Sequence, residues 1–185
     1  MPTQQEQVAQ VEVALKRRFF QFIPKLVTPN RQNWNEEQHD TDRLSRALAA
    51  YALVGTSEID DATAAGAVTD GENDGGIDAV HFDRPRSRLM LVQSKFKRTG
   101  AAPSQEESLK TINGTKALVN RQFATFNANF HRRLDEIEEA LDTPGVMLEV
   151  VLVFLGENLG PHVTTDTQIM HRLRPELASE PAPGR

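Results

Sequence analysis

An α/β fold with a mixed sheet is what this 185-residue sequence predicts, and three observations carry the expectation. Two strand-like segments, "GIDAVHFD" and "RLMLVQSKFK", flank the turn sequence "RPRS". A third, "VMLEVVLVFL" over 146–155, has so little polar character that it belongs inside a sheet. Apolar residues at helical spacing precede the hairpin and fill the stretch between it and that last strand.

Taken in order, Val8, Val11, Leu15, Phe19 and Phe22 recur at helical spacing up to Pro24, which predicts an amphipathic helix over 4–22. An irregular segment follows over 24–34. Leu44, Leu48, Tyr51 and Ala52 mark a second helix over 35–54, with Gly55 as its stop. Ser57, with Asp60 three residues on, is placed to cap a short third helix ending at Ala65. A short strand over 67–69 then leads into the hairpin. Beyond it, Pro103 and the Ser104/Glu107 capping box start a helix that Asn113 and Gly114 are expected to interrupt. Phe126, Phe130, Leu134, Ile137 and Leu141 form one more stripe, ended by Pro144. "TTDTQIMHRLRPELAS" predicts a last helix and "EPAPGR" a disordered tail. The organisation is thus an N-terminal helix and irregular segment (1–34), a central α/β domain (35–160) and a C-terminal helix with tail (161–185).

The hairpin's register follows from its turn. Pro85 presets the backbone angle wanted at the second position of a four-residue turn, so 84–87 form the loop and paired positions sum to 171. Asp78 then faces Gln93, with Cβ atoms roughly 4.5–5.5 Å apart. Side chains alternate along a strand, so Lys95 projects from the same face as Gln93, about 6.5 Å further on. One carboxylate, one amide and one lysine therefore meet where the apolar run Leu89, Met90, Leu91, Val92 ends. Such a set suits metal-dependent phosphodiester chemistry. Mg²⁺ or Mn²⁺ would be held by Asp78, Gln93 and the Ser94 carbonyl, because a hard cation wants oxygen ligands. Lys95 would orient or help deprotonate a water and offset charge on the phosphate. Asp74 and Glu72 lie close enough in sequence to assist a metal at Asp78. Turn-making acids and a solvated strand edge are the plainer reading of the same residues.

"GGIDA", an apolar strand and "VQSKFK" resemble the PD-(D/E)xK nuclease superfamily in its Mrr-like form, where Gln replaces the usual acid. More specifically, "DRLSRALAAYAL" over 42–53 followed by "DGENDGGIDA" and "LVQSK" is similar to the N-terminal nuclease-like domain of bacterial abortive-infection phage-resistance (AIPR) proteins. The likeness runs roughly over 35–155. It implies a restriction-endonuclease-like αβββαβ core with extra N-terminal helices, Asp78 and Gln93 as metal ligands and Lys95 as the catalytic lysine. It also implies a third carboxylate from the preceding helix, for which Glu37, Asp40 and Asp42 are the candidates. Gln93 departs from the superfamily's usual Glu and removes a negative ligand. The implied activity is a Mg²⁺- or Mn²⁺-dependent endonuclease, with DNA the expected substrate and defence against phage or foreign DNA the role. The alternatives are a nuclease-fold module that binds nucleic acid or a partner without cutting, and a structural interaction domain. AIPR-like proteins are longer, so the resemblance implies further domains. Cutting both strands of a duplex calls for two sites and makes a homodimer an expected assembly.

Composition bounds these readings. The absence of cysteine excludes disulfides and thiolate zinc sites and fits a reducing cytoplasm. No apolar run approaches the ~20 residues that span a bilayer, and no secretory leader opens the chain, so a cytoplasmic protein without membrane contact is expected. The formal net charge of −5 argues against a general nucleic-acid coating protein. Twelve acids against Arg43 and Arg46 over 35–83 give a local charge of −10, whereas 84–98 carries six bases and no acid. Either an acidic metal pocket bordered by phosphate-binding Arg84, Arg86, Lys97 and Arg98, or two solvated faces of opposite sign, produces this pattern. "DGENDG" over 70–75 partly fits a calcium loop, but position twelve is His81 where a bidentate Glu is needed. The five histidines have no paired ligand spacing, and no phosphate-binding P-loop, GxSxG or GxGxxG occurs.

Overall fold

The computed structural model describes residues 3–26, 28–99 and 103–155. Helix α1 spans Gln4–Phe19, started by a reciprocal capping box between Thr3 and Glu6. It ends short of the expected Phe22 because the Phe19 carbonyl accepts from both the Phe22 and Ile23 amides, each at 2.9 Å, which turns Ile23 into the core. Helix α2, Glu36–Ser57, is capped by Asn35 and Gln38 in the same way. It runs through Gly55 instead of stopping there. A helical glycine costs only about 1 kcal/mol, and the turn beyond it is held by Arg88, which donates to the Thr56 carbonyl, and by burial of Ser57. Ser57 therefore closes α2, and the cap of α3, Asp61–Gly66, is Asp60, which accepts from the Thr63 amide at 2.7 Å.

Strands β1, Ala79–Asp83, and β2, Arg88–Lys95, form the expected antiparallel hairpin. Val80 pairs with Leu91 and Asp83 with Arg88, so the register sums to 171 as the turn predicts. Residues 84–86 make one 3₁₀ turn and Ser87, at φ 47°, closes it. The expected strand over 67–69 is a single bridge, Val68 to Ala79, flanked by Val80 N–H to Ala67 O at 3.0 Å and Thr69 N–H to Asp78 O at 2.8 Å.

Helix α4, Gln105–Val119, begins at the Ser104/Glu107 box and continues through Asn113 and Gly114. Gly114 is there for contact with the loop before β1: a Cβ on it would lie 2.0 Å from the Gly75 carbonyl oxygen. The single stripe expected over 126–141 is broken into α5, Ala128–His131, and α6, Leu134–Asp142. The break falls at Arg132 and Arg133, where the Arg133 amide turns back to the Phe130 carbonyl at 2.9 Å, and Asn127 sets the start of α5. It caps α5 through the Phe130 amide at 2.8 Å while its own amides reach Asn73 O at 2.9 Å and Thr69 O at 3.0 Å. Strand β3, Met147–Phe154, then runs parallel to β2, giving a mixed sheet of order β1-β2-β3.

The sheet is covered on both faces. Met90 and Val92 of β2 pack with Leu15, Phe19, Leu44 and Leu48 of α1 and α2, whereas Leu89 and Leu91 pack with Leu118, Phe130 and Ile137 of the crossover helices. Strand β3 is half-buried, less than its apolar sequence predicts, because among the described residues it has a strand neighbour on one side only. No helix among the described residues is long and apolar enough to cross a membrane. The last helix and tail expected over 161–185 lie outside the described residues.

Candidate metal centre

The loop between α3 and β1 builds the site. Asn73, Gly75 and Gly76 take left-handed angles of 60°, 67° and 73°, and the coil they impose brings Asp70, Asp74 and Asp78 to one point. Their carboxylate oxygens lie within 4.8 Å of one another. Asp74 is fixed by the Gly76 amide at 2.7 Å and by the Lys110 ammonium at 2.7 Å. Asp78 receives the Ser94 amide at 2.7 Å on Oδ2, with the Ser94 hydroxyl 3.0 Å from the same oxygen. That hydroxyl is also 2.8 Å from the Ser45 carbonyl. Both Ser94 donors favour the ionised form of Asp78.

Burial pushes Asp78 up to about 6, with Asp74 adding to the shift and the Ser94 bonds and Lys95 opposing it. Burial, with the charges of Asp78, Asp42 and Asp74, pushes Asp70 up to about 8 against the pull of Arg46. Asp70 and Asp78, raised by burial and by the charges around them, form with Asp74 a set a divalent cation would relieve. All donors are hard oxygens, which suits Mg²⁺ or Mn²⁺.

These carboxylates open into a cleft of about 570 Å³. Its lining also includes Ser94 and Lys95 of β2, Lys110 of α4, Thr41, Asp42 and Ser45 of α2, and Arg31 and Trp34 from the segment before α2. Lys95, half-exposed, places its ammonium 3.7 Å from Glu107, which also caps α4.

The expected residues fare differently. Asp78, Asp74 and Lys95 come together, and Ser94 meets the site through its amide and hydroxyl. Gln93 does not line the cleft: it is 2% exposed, accepts from the Thr111 hydroxyl and donates to the Glu107 carbonyl at 3.2 Å. The Asp78 amide donates to Val92 O at 2.7 Å, so at the mouth of the hairpin Asp78 bonds one residue short of Gln93. Asp42 lines the cleft between Arg31 at 2.9 Å and Arg46 at 2.8 Å. Asp40 pairs with Lys16, and Glu37 borders the cleft 3.6 Å from Arg98. Glu72 turns to Asn30, so the calcium-loop pattern of 70–75 is not assembled.

The four bases expected to bind phosphate are all engaged by acids. Arg84 pairs with Glu139, Arg86 with Asp83 and Glu58, Lys97 with Glu107 and Arg98 with Glu12. Arg84 and Arg86 also sit at the closed end of the hairpin, roughly 20 Å along the strand from Asp78.

Asp70, Lys110 and Arg46 are the site residues that sequence reasoning missed. Acids at 70, 74 and 78 are visible in the sequence, but four-residue spacing converges only where left-handed turns coil the chain. Lys110 arrives from a crossover helix and carries no sequence signal. No family model, no curated protein and no solved structure matches the chain.

Proposed function

We propose that this protein is a Mg²⁺- or Mn²⁺-dependent phosphodiester hydrolase on a restriction-endonuclease-like core, with nucleic acid as substrate. The observation that carries the reading is the convergence of Asp70, Asp74 and Asp78 within 4.8 Å beside Lys95 in one cleft. The chain order supports it: helix, Val68 bridge, hairpin, crossover helices and a parallel strand follow αβββαβ when the bridge is counted as the first strand.

The three aspartates would hold the metal, which when bound supplies Lewis-acid polarisation of a phosphoryl oxygen and an activated water. The chain's own residues do the rest. Ser94 fixes the rotamer of Asp78 through its amide, and Gly76 does the same for Asp74. Lys95, steered by Glu107, offsets the charge that develops on the phosphate. Gln93 acts behind this line, joining β2 to α4 through Thr111 and Glu107 and so fixing where Lys95 and Lys110 stand relative to each other. The setting, defence against phage or foreign DNA in the cytoplasm, follows from the AIPR-like sequence order alone.

Nicking of plasmid and oligonucleotides with Mg²⁺, Mn²⁺ or EDTA tests the reading. Metal-dependent cleavage lost in Asp78→Ala supports it, and absence of cleavage with both metals sinks it. One observation favours a second reading, a nucleic-acid-binding module that does not cut: the Lys110 ammonium already neutralises Asp74. Salt-sensitive binding without cleavage would select it.

A further inference from the structure

The cleft that holds the carboxylates is also lined by the chain's one tryptophan. Trp34 directly precedes the Asn35 cap of α2, and its amide donates to the Arg31 carbonyl at 3.0 Å, so its backbone is fixed by that turn. The Arg31 guanidinium lies 5.0 Å from the indole centroid, and His39 packs at 5.7 Å, tilted by 58°. Arg31 is half-used: it pairs with Asp42, yet its Nη1 is buried with no hydrogen-bond partner among the described residues. Arg31 also borders a second cavity of about 470 Å³, lined by Asn30, Asn127 and Asn129 among others. A planar indole and a planar guanidinium with an unmet donor therefore line the same cleft as the candidate metal centre, and the guanidinium borders a second cavity as well.

Charge and depth restrict what can enter. The bases at the hairpin are paired with acids, and the cleft itself holds five acids, Glu37, Asp42, Asp70, Asp74 and Asp78, against Arg31, Lys95 and Lys110. No basic track for a backbone is present among these residues. Asp74 and Asp78 are only 4% and 5% exposed, so a reacting phosphate must descend into the cleft. A strand held in a duplex cannot turn inward that far, whereas an unpaired nucleotide can.

We propose that the cleft takes an unpaired nucleotide of a single strand, held by stacking of its base on the Trp34 and Arg31 wall rather than by charge along its backbone. The inference rests on the hydrolase reading for the place of the phosphate. Its binding energy comes from the π-face of the base, which makes it tolerant of sequence, and without a basic track to displace counterions from the backbone it depends weakly on salt.

The single tryptophan is the probe. The full chain in EDTA is titrated with a short oligothymidylate and with a duplex of the same length, following Trp34 fluorescence and the anisotropy of a labelled strand. The single strand should quench Trp34, bind at least about tenfold tighter than the duplex, and lose little affinity between about 50 and 200 mM salt. Trp34→Ala should weaken it roughly 5- to 150-fold, the range for loss of one stacked base, and Trp34→Phe should restore most of it, with circular dichroism confirming that both fold. Equal binding of the duplex, absence of quenching, or an unchanged affinity in Trp34→Ala would overturn the proposal. Metal-dependent cleavage with unaltered Trp34→Ala binding sinks this inference and leaves the hydrolase standing. Stacking without cleavage in Mg²⁺ or Mn²⁺ does the reverse.

Discussion

Lys110 sets its ammonium 2.7 Å from Oδ1 of Asp74, a contact between α4 and the loop before β1 that places a protein cation against the carboxylate cluster. A divalent ion and this ammonium compete for the same negative charge. Lys110→Met should therefore tighten Mn²⁺ binding, by about tenfold if the competition is worth ~1.4 kcal/mol. The lysine side chain is 53% exposed, so the fold should tolerate the change. Isothermal titration with Mn²⁺ measures it, and weaker binding in the variant would mean that Lys110 organises the site instead of competing for it.

The cluster also sets a pH dependence. Asp78 and Asp70 are raised from the ordinary 3.8 to about 6 and about 8, so between these values the folded chain holds protons that the unfolded chain has released. Stability from these groups is intact below about 4 and falls as pH rises through 6 to 8. Despite burial, Asp83 and Glu136 are held below the usual range by their partners, and they act in the opposite sense at acid pH. The metal-free protein should thus lose roughly 5 °C or more in Tm from pH 5 to pH 8. Saturating Mn²⁺ should restore it, and Asp70→Asn should flatten the slope without metal. A metal-free Tm that climbs steadily from pH 5 to pH 8 would contradict the crowding of these carboxylates.

Gly114 tests how the loop is held. Alanine there would place Cβ 2.0 Å from the Gly75 oxygen and 2.8 Å from its carbon, and neither atom belongs to a side chain that can swing aside. Helix α4 must back away from the loop. Gly114→Ala should cost about 1–3 kcal/mol, the usual range for overpacking, and should weaken metal binding because the loop that carries Asp74 and Asp78 loses its seat on α4. Chemical denaturation alongside Mn²⁺ titration reads both effects, and an unchanged midpoint would show that the contact is looser than this.

Local signals carried much of this fold. The Pro85 turn fixed the hairpin register, and the Ser104/Glu107 box set the start of α4, because each acts over a few residues. Gly55 and Gly114 misled for one reason: glycine breaks a helix only where nothing else holds it, and here Arg88 and the Gly75 contact do. Asp78 and Lys95 were legible from strand alternation. Gln93 follows the same alternation, yet Thr111 and Glu107 of α4 claim its amide. Asp70 was invisible because its approach depends on three left-handed residues acting in concert.

Separate substitutions at Asp78, Lys95 and Gln93 distinguish holding the metal from performing the chemistry. Asp78→Ala removes a ligand and the acceptor of the Ser94 amide, so metal affinity and cleavage should both fall. Lys95→Ala keeps the three carboxylates, so Mn²⁺ should bind nearly as before while hydrolysis slows by about 10²–10³. Gln93→Glu restores the acid that the PD-(D/E)xK pattern usually has. Here it would place a carboxylate oxygen against the Glu107 carbonyl, which now receives an N–H at 3.2 Å. A buried acceptor that loses its donor costs about 1–3 kcal/mol, so this variant should be less stable and bind metal no more tightly. Tighter Mn²⁺ binding in Gln93→Glu would show that the side chain leaves Thr111 and turns into the cleft when metal binds. Undiminished cleavage by a folded Lys95→Ala would remove the lysine from the chemistry altogether.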